Sequence, residues 1–183
     1  MVSDADELEA GDPVAVAVEN ARRKARAVEN ARRKARAVES TAPLTSHSEA
    51  KGAVVLGVDT VVALDGALYG KPAHAGEARA TLERLSGRVH EVVSGIAVVE
   101  AGETRTAHAT TRVSFRPLDA ATLEWYVATE EWRERAGGYA IQGRGAALVA
   151  GIEGDYLNVV GLPVGALLEL LPGILHGGAA PLR

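Results

Sequence analysis

A ten-residue segment, Ala-Val-Glu-Asn-Ala-Arg-Arg-Lys-Ala-Arg, fills residues 17–26 and recurs without a change at 27–36, and Ala-Val-Glu follows at 37–39. Val18, Ala21, Ala25 and Val28, then Ala31, Ala35 and Val38, follow helical spacing, so the whole segment is expected to be one helix. Ten residues turn a helix by about 1000°, about 80° short of three full turns, and advance it by about 15 Å. The two copies therefore cannot present the same face to one neighbour. One copy can be in register with a core; the other must project, drift round the helix or bulge out. Two copies are too few for a solenoid, and perfect identity reads as a tandem insertion within one helix.

The repeat also skews the charge. Residues 17–39 hold eight cations against three glutamates, a net +5 within a chain whose overall charge is −4, so the remainder carries −9. A wholly basic nucleic-acid binder is not expected. Arg and Lys on several helix faces could meet phosphates, but no aromatic residue interleaves with them. A solvated face doubled by the duplication is the favoured reading.

The remaining composition narrows the class. Cysteine is absent, which excludes a disulfide scaffold, a zinc–cysteine site and thiol catalysis. The acidic start has no apolar signal region, and the longest apolar stretches, around Val54–Val58 and Val159–Leu171, are short or interrupted by Gly and Pro. No membrane partner and a cytoplasmic location are expected.

Residues 40–52 have loop composition, and a β-rich run, Val54–Leu64, follows. Asp65-Gly66 predicts a hairpin into a return strand at Ala67–Tyr69. A helix is expected over Ala75–Leu85, then a second hairpin from Val89–Glu100 and Thr104–Phe115 around Ala101-Gly102. A further helix should begin near Asp119 and run through Tyr126, with Trp125 and Trp132 packing it and its following loop. A glycine-rich stretch leads to a strand at Ala147–Ile152. Pro163 fits the first position of a closing helix, Val164–Leu171. Helices alternating with hairpins argue for an α/β fold with a mixed, twisted sheet flanked by helices, in a single domain spanning 1–183.

Candidate chemistry is sparse. Asp59 and Thr60 interrupt an apolar strand; a carboxylate there either faces water at the strand end or meets a metal, a cation or backbone donors. Lys71 lies past the following hairpin, which could fold it back toward Asp59, although an exposed strand-end lysine is the plainer reading. In Ala136–Gly143 the clustered glycines could bring backbone N–H groups to an anion, and Gln142 could read a base edge. The segment matches neither a dinucleotide fingerprint nor a P-loop. The five histidines show no metal-ligand spacing, and no serine lies in a nucleophile-elbow motif.

In order along the chain, Asp6-Glu7, ARRKA of the basic helix, GVDTVVALDG, GKP at 70–72, LSGRVHEVVSG at 85–95, VSFRPL at 113–118, AGGYAIQGRGA at 136–146 and EGDYLNVVGLP at 153–163 resemble the Maf family of nucleoside triphosphate pyrophosphatases. The DT and YAIQG forms are similar to the branch acting on dTTP and UTP. The resemblance implies two lobes around a cleft, hydrolysis to the monophosphate and pyrophosphate, a divalent cation (Mg²⁺ or Mn²⁺) and a homodimer. By the same resemblance Asp59 is the proton acceptor, and Thr60 and Gln142 belong to the substrate-selecting set. Lys71 and one lysine of the repeat face phosphates, Lys34 being preferred over Lys24 because the strand that follows anchors the cleft. Glu7 is a further acidic residue at the substrate or its metal, whose ligands stay unassigned.

The family opens with a strand and a Ser-x-x-Arg-Arg-like loop that grips phosphates. Six residues precede Glu7 here, so that strand and loop are expected to be missing, and Arg22-Arg23 belong to the later helix motif. The alternatives to an active enzyme are a truncated, impaired relative and, ranked below it, a nucleic-acid binder using the basic helix.

Overall fold

The computed structural model describes Leu8, residues 10–39 (side chains through Arg33) and residues 54–176. Helix α1 spans Pro13–Glu39. Asp12 starts it by accepting the Ala15 amide at Oδ1 (2.9 Å), and Pro13 occupies the first turn, where a missing N–H costs nothing. Strands β1 (Val55–Leu64), β2 (Ala67–Tyr69), β3 (Val89–Glu100), β4 (Glu103–Phe115) and β5 (Val149–Glu153) form one sheet in the order β2-β1-β3-β4-β5. Helices α2 (Ala75–Leu85), α3 (Ala120–Ala128), α4 (Tyr156–Val160) and α5 (Val164–Leu170) complete the regular elements.

The α/β expectation holds, but the described sheet is antiparallel at every pairing rather than mixed. The cause lies in the turns. Asp65-Gly66 and Ala101-Gly102 both adopt positive φ at successive positions, the geometry of a two-residue hairpin, so β1–β2 and β3–β4 reverse tightly. The segment containing α2 then returns the chain antiparallel to β1. The sequence pattern misses α4, which is too short to show a helical period; Asp155 caps it and Gly161 ends it in the left-handed region. Pro163 stands at the cap of α5 rather than within its first turn. The loop expected over residues 40–52 lies outside the described residues.

Strand β1 alternates between the two faces of the sheet. Gly57, Asp59 and Val61 face α1, whereas Val62 and Leu64 join the main core with Leu82 and Leu85 of α2, Leu123 and Tyr126 of α3, and Trp132. Trp125, in contrast, is exposed. Helix α1 lies unusually close to the sheet because two strand positions lack a side chain. A Cβ on Gly57 would stand 2.2 Å from the Ala21 carbonyl oxygen, and one on Gly95 would stand 2.4 Å from that of Ala17. Ala17, Ala21 and Ala25 are fully buried over this bare strip.

The repeat resolves as the helix phase requires. Ala21 is fully buried and Asn20 nearly so; their counterparts Ala31 and Asn30 are exposed, and Val28 is 46% exposed. The residues preceding each copy select the docked one. Val14 and Val16 pack with Val61 and Val93, whereas a slide onto the second copy would put Lys24 and Arg26 there, at a large desolvation cost. The helix then outruns β1, which begins at Val55 beside Ala25.

Candidate active site

Strand β2 pairs with Val62, Ala63 and Leu64 and goes no further along β1. Asp59 and Thr60 lie just past its end, and the chain leaving β2 carries Gly70 and Lys71 alongside them. A cleft opens at this uncovered edge. One lobe, of about 200 Å³, is lined by Lys24, Asp59, Thr60, Lys71, Arg135 and Tyr139, among others. The other, of about 350 Å³, reaches Leu8, Asn20, Asp59, Thr60, Lys71 and Glu77. Because successive strand residues point to opposite faces, Asp59 serves the α1 side and Thr60 the α4 side of one opening.

Asp59 is 7% exposed, and both its oxygens are engaged. Lys24 Nζ lies 2.6 Å from Oδ1, and Asn20 Nδ2 donates to Oδ2 at 3.1 Å. Asn20 and Lys24 are four residues apart, one helical turn, so both project from the same face of α1. Asp59 pairs across the sheet with Gly95, the bare position over which α1 settles. That close approach is what lets two helix side chains reach one strand carboxylate.

Thr60 Oγ1 meets Ser94 Oγ at 2.8 Å, and Ser94 continues to the Asn158 carbonyl at 3.4 Å. Asn158 Nδ2 donates to Thr111 Oγ1 and the Val92 carbonyl, so α4 is tied to the sheet directly behind Thr60. Lys71 Nζ lies 3.6 Å from Glu134, whose backbone has a positive φ. The glycine-rich segment seals the other wall: Gly137 has φ 69° and would drive a Cβ to 2.8 Å from Val62, so a side chain there is excluded twice over. Tyr139 follows, and its phenol contacts His90 Nε2 at 2.8 Å. Burial pushes the Tyr139 phenol up and pulls buried His90 down to about 4, so the imidazole is neutral at physiological pH.

The profile of the family described as Maf-like protein matches residues 1–174. The chain belongs to the Maf family. It is 50% identical over 132 residues to the dTTP/UTP pyrophosphatase of Symbiobacterium thermophilum, covering 70% of this chain and 68% of that protein. To the dTTP/UTP pyrophosphatase of Pyrococcus furiosus it is 47% identical over 117 residues, covering 64% of this chain and 62% of that one. Its match to the dTTP/UTP pyrophosphatase of Thermococcus gammatolerans is longer, 40% identical over 168 residues, or 92% of this chain and 80% of the other.

Within this Maf chain, the structure brings Asp59, Thr60, Lys71 and Lys24 to one cleft. Lys24 stands on Asp59, and Lys34, ten residues on, lies about 15 Å further along the helix axis and about 80° round it. The Lys34 side chain lies outside the described residues, as does Glu7. Gln142 is exposed at the start of a short 3₁₀ segment and is not among the residues lining the two lobes. Its loop is nonetheless firmly held. Ala140 N donates to Tyr126 Oη at 3.0 Å, and Glu131 Oε2 accepts from Arg144 N at 2.9 Å.

Sequence reasoning missed Asn20, Ser94 and Glu131. The spacing of Asn20 from Lys24 on a helix was the available signal for the first. Nothing local marks the others, whose partners come from distant segments.

Among the described residues no three His, Asp or Glu side chains gather as a ready-made metal cage. Asp59, Glu77 and Glu134 are the described carboxylates lining the cleft. Carboxylate oxygens are hard donors of the kind Mg²⁺ takes, one or two of them together with substrate phosphates.

Proposed function

We infer that this chain is a nucleoside triphosphate pyrophosphatase acting on dTTP and UTP, releasing the nucleoside monophosphate and pyrophosphate. The observation that carries the reading is the buried Asp59 carboxylate held between Lys24 and Asn20 in a cleft that also presents Lys71. Membership of the Maf family and the names of three relatives support it.

Water attacks the α-phosphorus, the bond from that phosphorus to the bridging oxygen breaks, and pyrophosphate leaves. Asp59 accepts the proton of the attacking water. In the free protein Lys24 occupies Oδ1 of Asp59; an arriving triphosphate competes for Lys24, which turns to a phosphate oxygen and frees Oδ1 for water. Lys71 is drawn from Glu134 to the phosphates in the same way. Two lysines aimed at developing phosphate charge in a partly buried cleft supply the electrostatic part of catalysis. When bound, a divalent cation, Mg²⁺ or Mn²⁺, would be held by cleft carboxylates together with the phosphates and would supply further charge neutralisation. Thr60, fixed by Ser94, and Gln142, on its clamped loop, select the base, and Glu7 adds an acidic group to the site.

Among the described residues no helix is long and apolar enough to cross a membrane. A cytoplasmic location and a homodimer complete the proposal. The test is to incubate α-³²P-labelled dTTP and UTP with the protein and Mg²⁺ and to separate the products. Labelled monophosphate with one equivalent of pyrophosphate supports the reading; labelled diphosphate with orthophosphate contradicts it.

A further inference from the structure

The repeat gives the chain two asparagines, Asn20 and Asn30, in identical local sequence, and the fold treats them differently. Asn30 is exposed. Asn20 is 2% exposed and uses its whole amide. Its Nδ2 donates to Asp59 Oδ2 and to the Leu8 carbonyl, both at 3.1 Å, and its Oδ1 accepts from Leu8 N at 2.7 Å.

Lys24 cannot fix the plane of the Asp59 carboxylate, because an ammonium is a point charge with rotating donors on a flexible stem. An amide locked on a buried helix face can. Once phosphates draw Lys24 away, Asn20 is the contact that still sets the direction of the carboxylate lone pairs. The same amide grips both backbone polar groups of Leu8, the residue following Glu7 in sequence and itself part of the cleft wall.

We propose that Asn20 is a positioning residue of the reaction: it orients the Asp59 carboxylate and fastens the Leu8 backbone to it. The proposal rests on the reading of Asp59 as the proton acceptor. A residue that merely supported the fold would lower thermal stability without changing turnover in the molecules that remain folded. A residue that orients the base lowers kcat more than it changes KM, since misplacement is felt in the chemical step.

Three variants separate these roles: Asn20→Leu, which removes the amide; Asn20→Asp, which keeps its volume and sets an oxygen against Asp59; and Asn30→Leu, the control supplied by the repeat itself. The expected result is a fall in kcat on dTTP of at least about tenfold in both Asn20 variants, with KM within about threefold. Leu8 amide exchange should accelerate in Asn20→Leu, and Asn30→Leu should match wild type throughout. A folded Asn20→Leu protein with kcat within about twofold of wild type overturns the proposal, as does unchanged Leu8 protection. If the wild-type chain hydrolyses neither dTTP nor UTP, the functional reading falls by itself, and the Asp59 side-chain ¹³C chemical shift decides the role of Asn20. A difference between wild type and Asn20→Leu sustains it; identical shifts overturn it.

Discussion

Lys24 Nζ stands 2.6 Å from Asp59 Oδ1, and the side chain of Asp59 is 7% exposed against 29% for that of Lys24. The carboxylate is thus the buried partner and the ammonium the one that reaches solvent. Such a pair keeps the carboxylate in place and sets the ammonium nearer to an arriving polyanion. This asymmetry is what an incoming polyanion needs in order to take the cation and leave the base in place.

The two repeat lysines are expected to differ sharply. Lys24→Ala should lower kcat/KM on dTTP by about 10²-fold, in the range seen when one charge-stabilising donor is removed. Lys34→Ala should leave it unchanged. Steady-state kinetics of the two variants side by side checks this, and equal losses would contradict the docked register.

Removing ten residues tests the register from the other direction. Deleting either copy gives the same chain, and the docked face with its preceding Val14 and Val16 is restored in both cases. The shortened protein should unfold within a few degrees of the full chain and keep its activity, because the second copy leaves Val28 and Ala31 exposed. Thermal unfolding followed by circular dichroism reads the outcome.

Gly57→Ala should be severe for so small a change. The added methyl would lie 2.2 Å from the Ala21 carbonyl oxygen, so α1 must lift from the sheet. A loss of about 3 kcal/mol is expected, with activity falling further because Asn20 and Lys24 withdraw from Asp59. Denaturant unfolding together with kinetics on the folded fraction separates the two effects.

Stability should fall in mild acid through His90. Its folded pKa of about 4 lies below the ordinary 6.5. Between those values the unfolded chain takes up a proton that the folded chain refuses. The contribution is complete above the upper value and is lost as pH drops through the window, by up to about 3 kcal/mol. Unfolding free energies at pH 7 and pH 5 should differ less in His90→Phe than in wild type.

Much of this architecture was legible in the chain. Ala67–Tyr69 and Ala75–Leu85 coincide with the strand and helix that form, because Asp65-Gly66 and the Ala78, Leu82 and Leu85 stripe are strong local signals. The sheet's uniform antiparallel pairing was not legible, since pairing direction depends on how α2 returns the chain to β1. At the site, Asp59 stood out as a carboxylate in an apolar strand. Its partners did not, because choosing Lys24 over Lys34 requires knowing which repeat copy meets Gly57 and Gly95. The clamp of Glu131 on the Gln142 loop was hidden for a similar reason: a carboxylate accepting backbone amides thirteen and fourteen residues away leaves no periodic trace.

The most direct test is pyrophosphate release from dTTP and UTP with Mg²⁺, measured for the wild-type chain and Asp59→Asn in parallel. The account predicts release by the wild type and a loss of at least about 10²-fold in the variant, with the fold unchanged by circular dichroism. A folded wild-type chain that releases none, or an Asp59→Asn protein that keeps its rate, would contradict it.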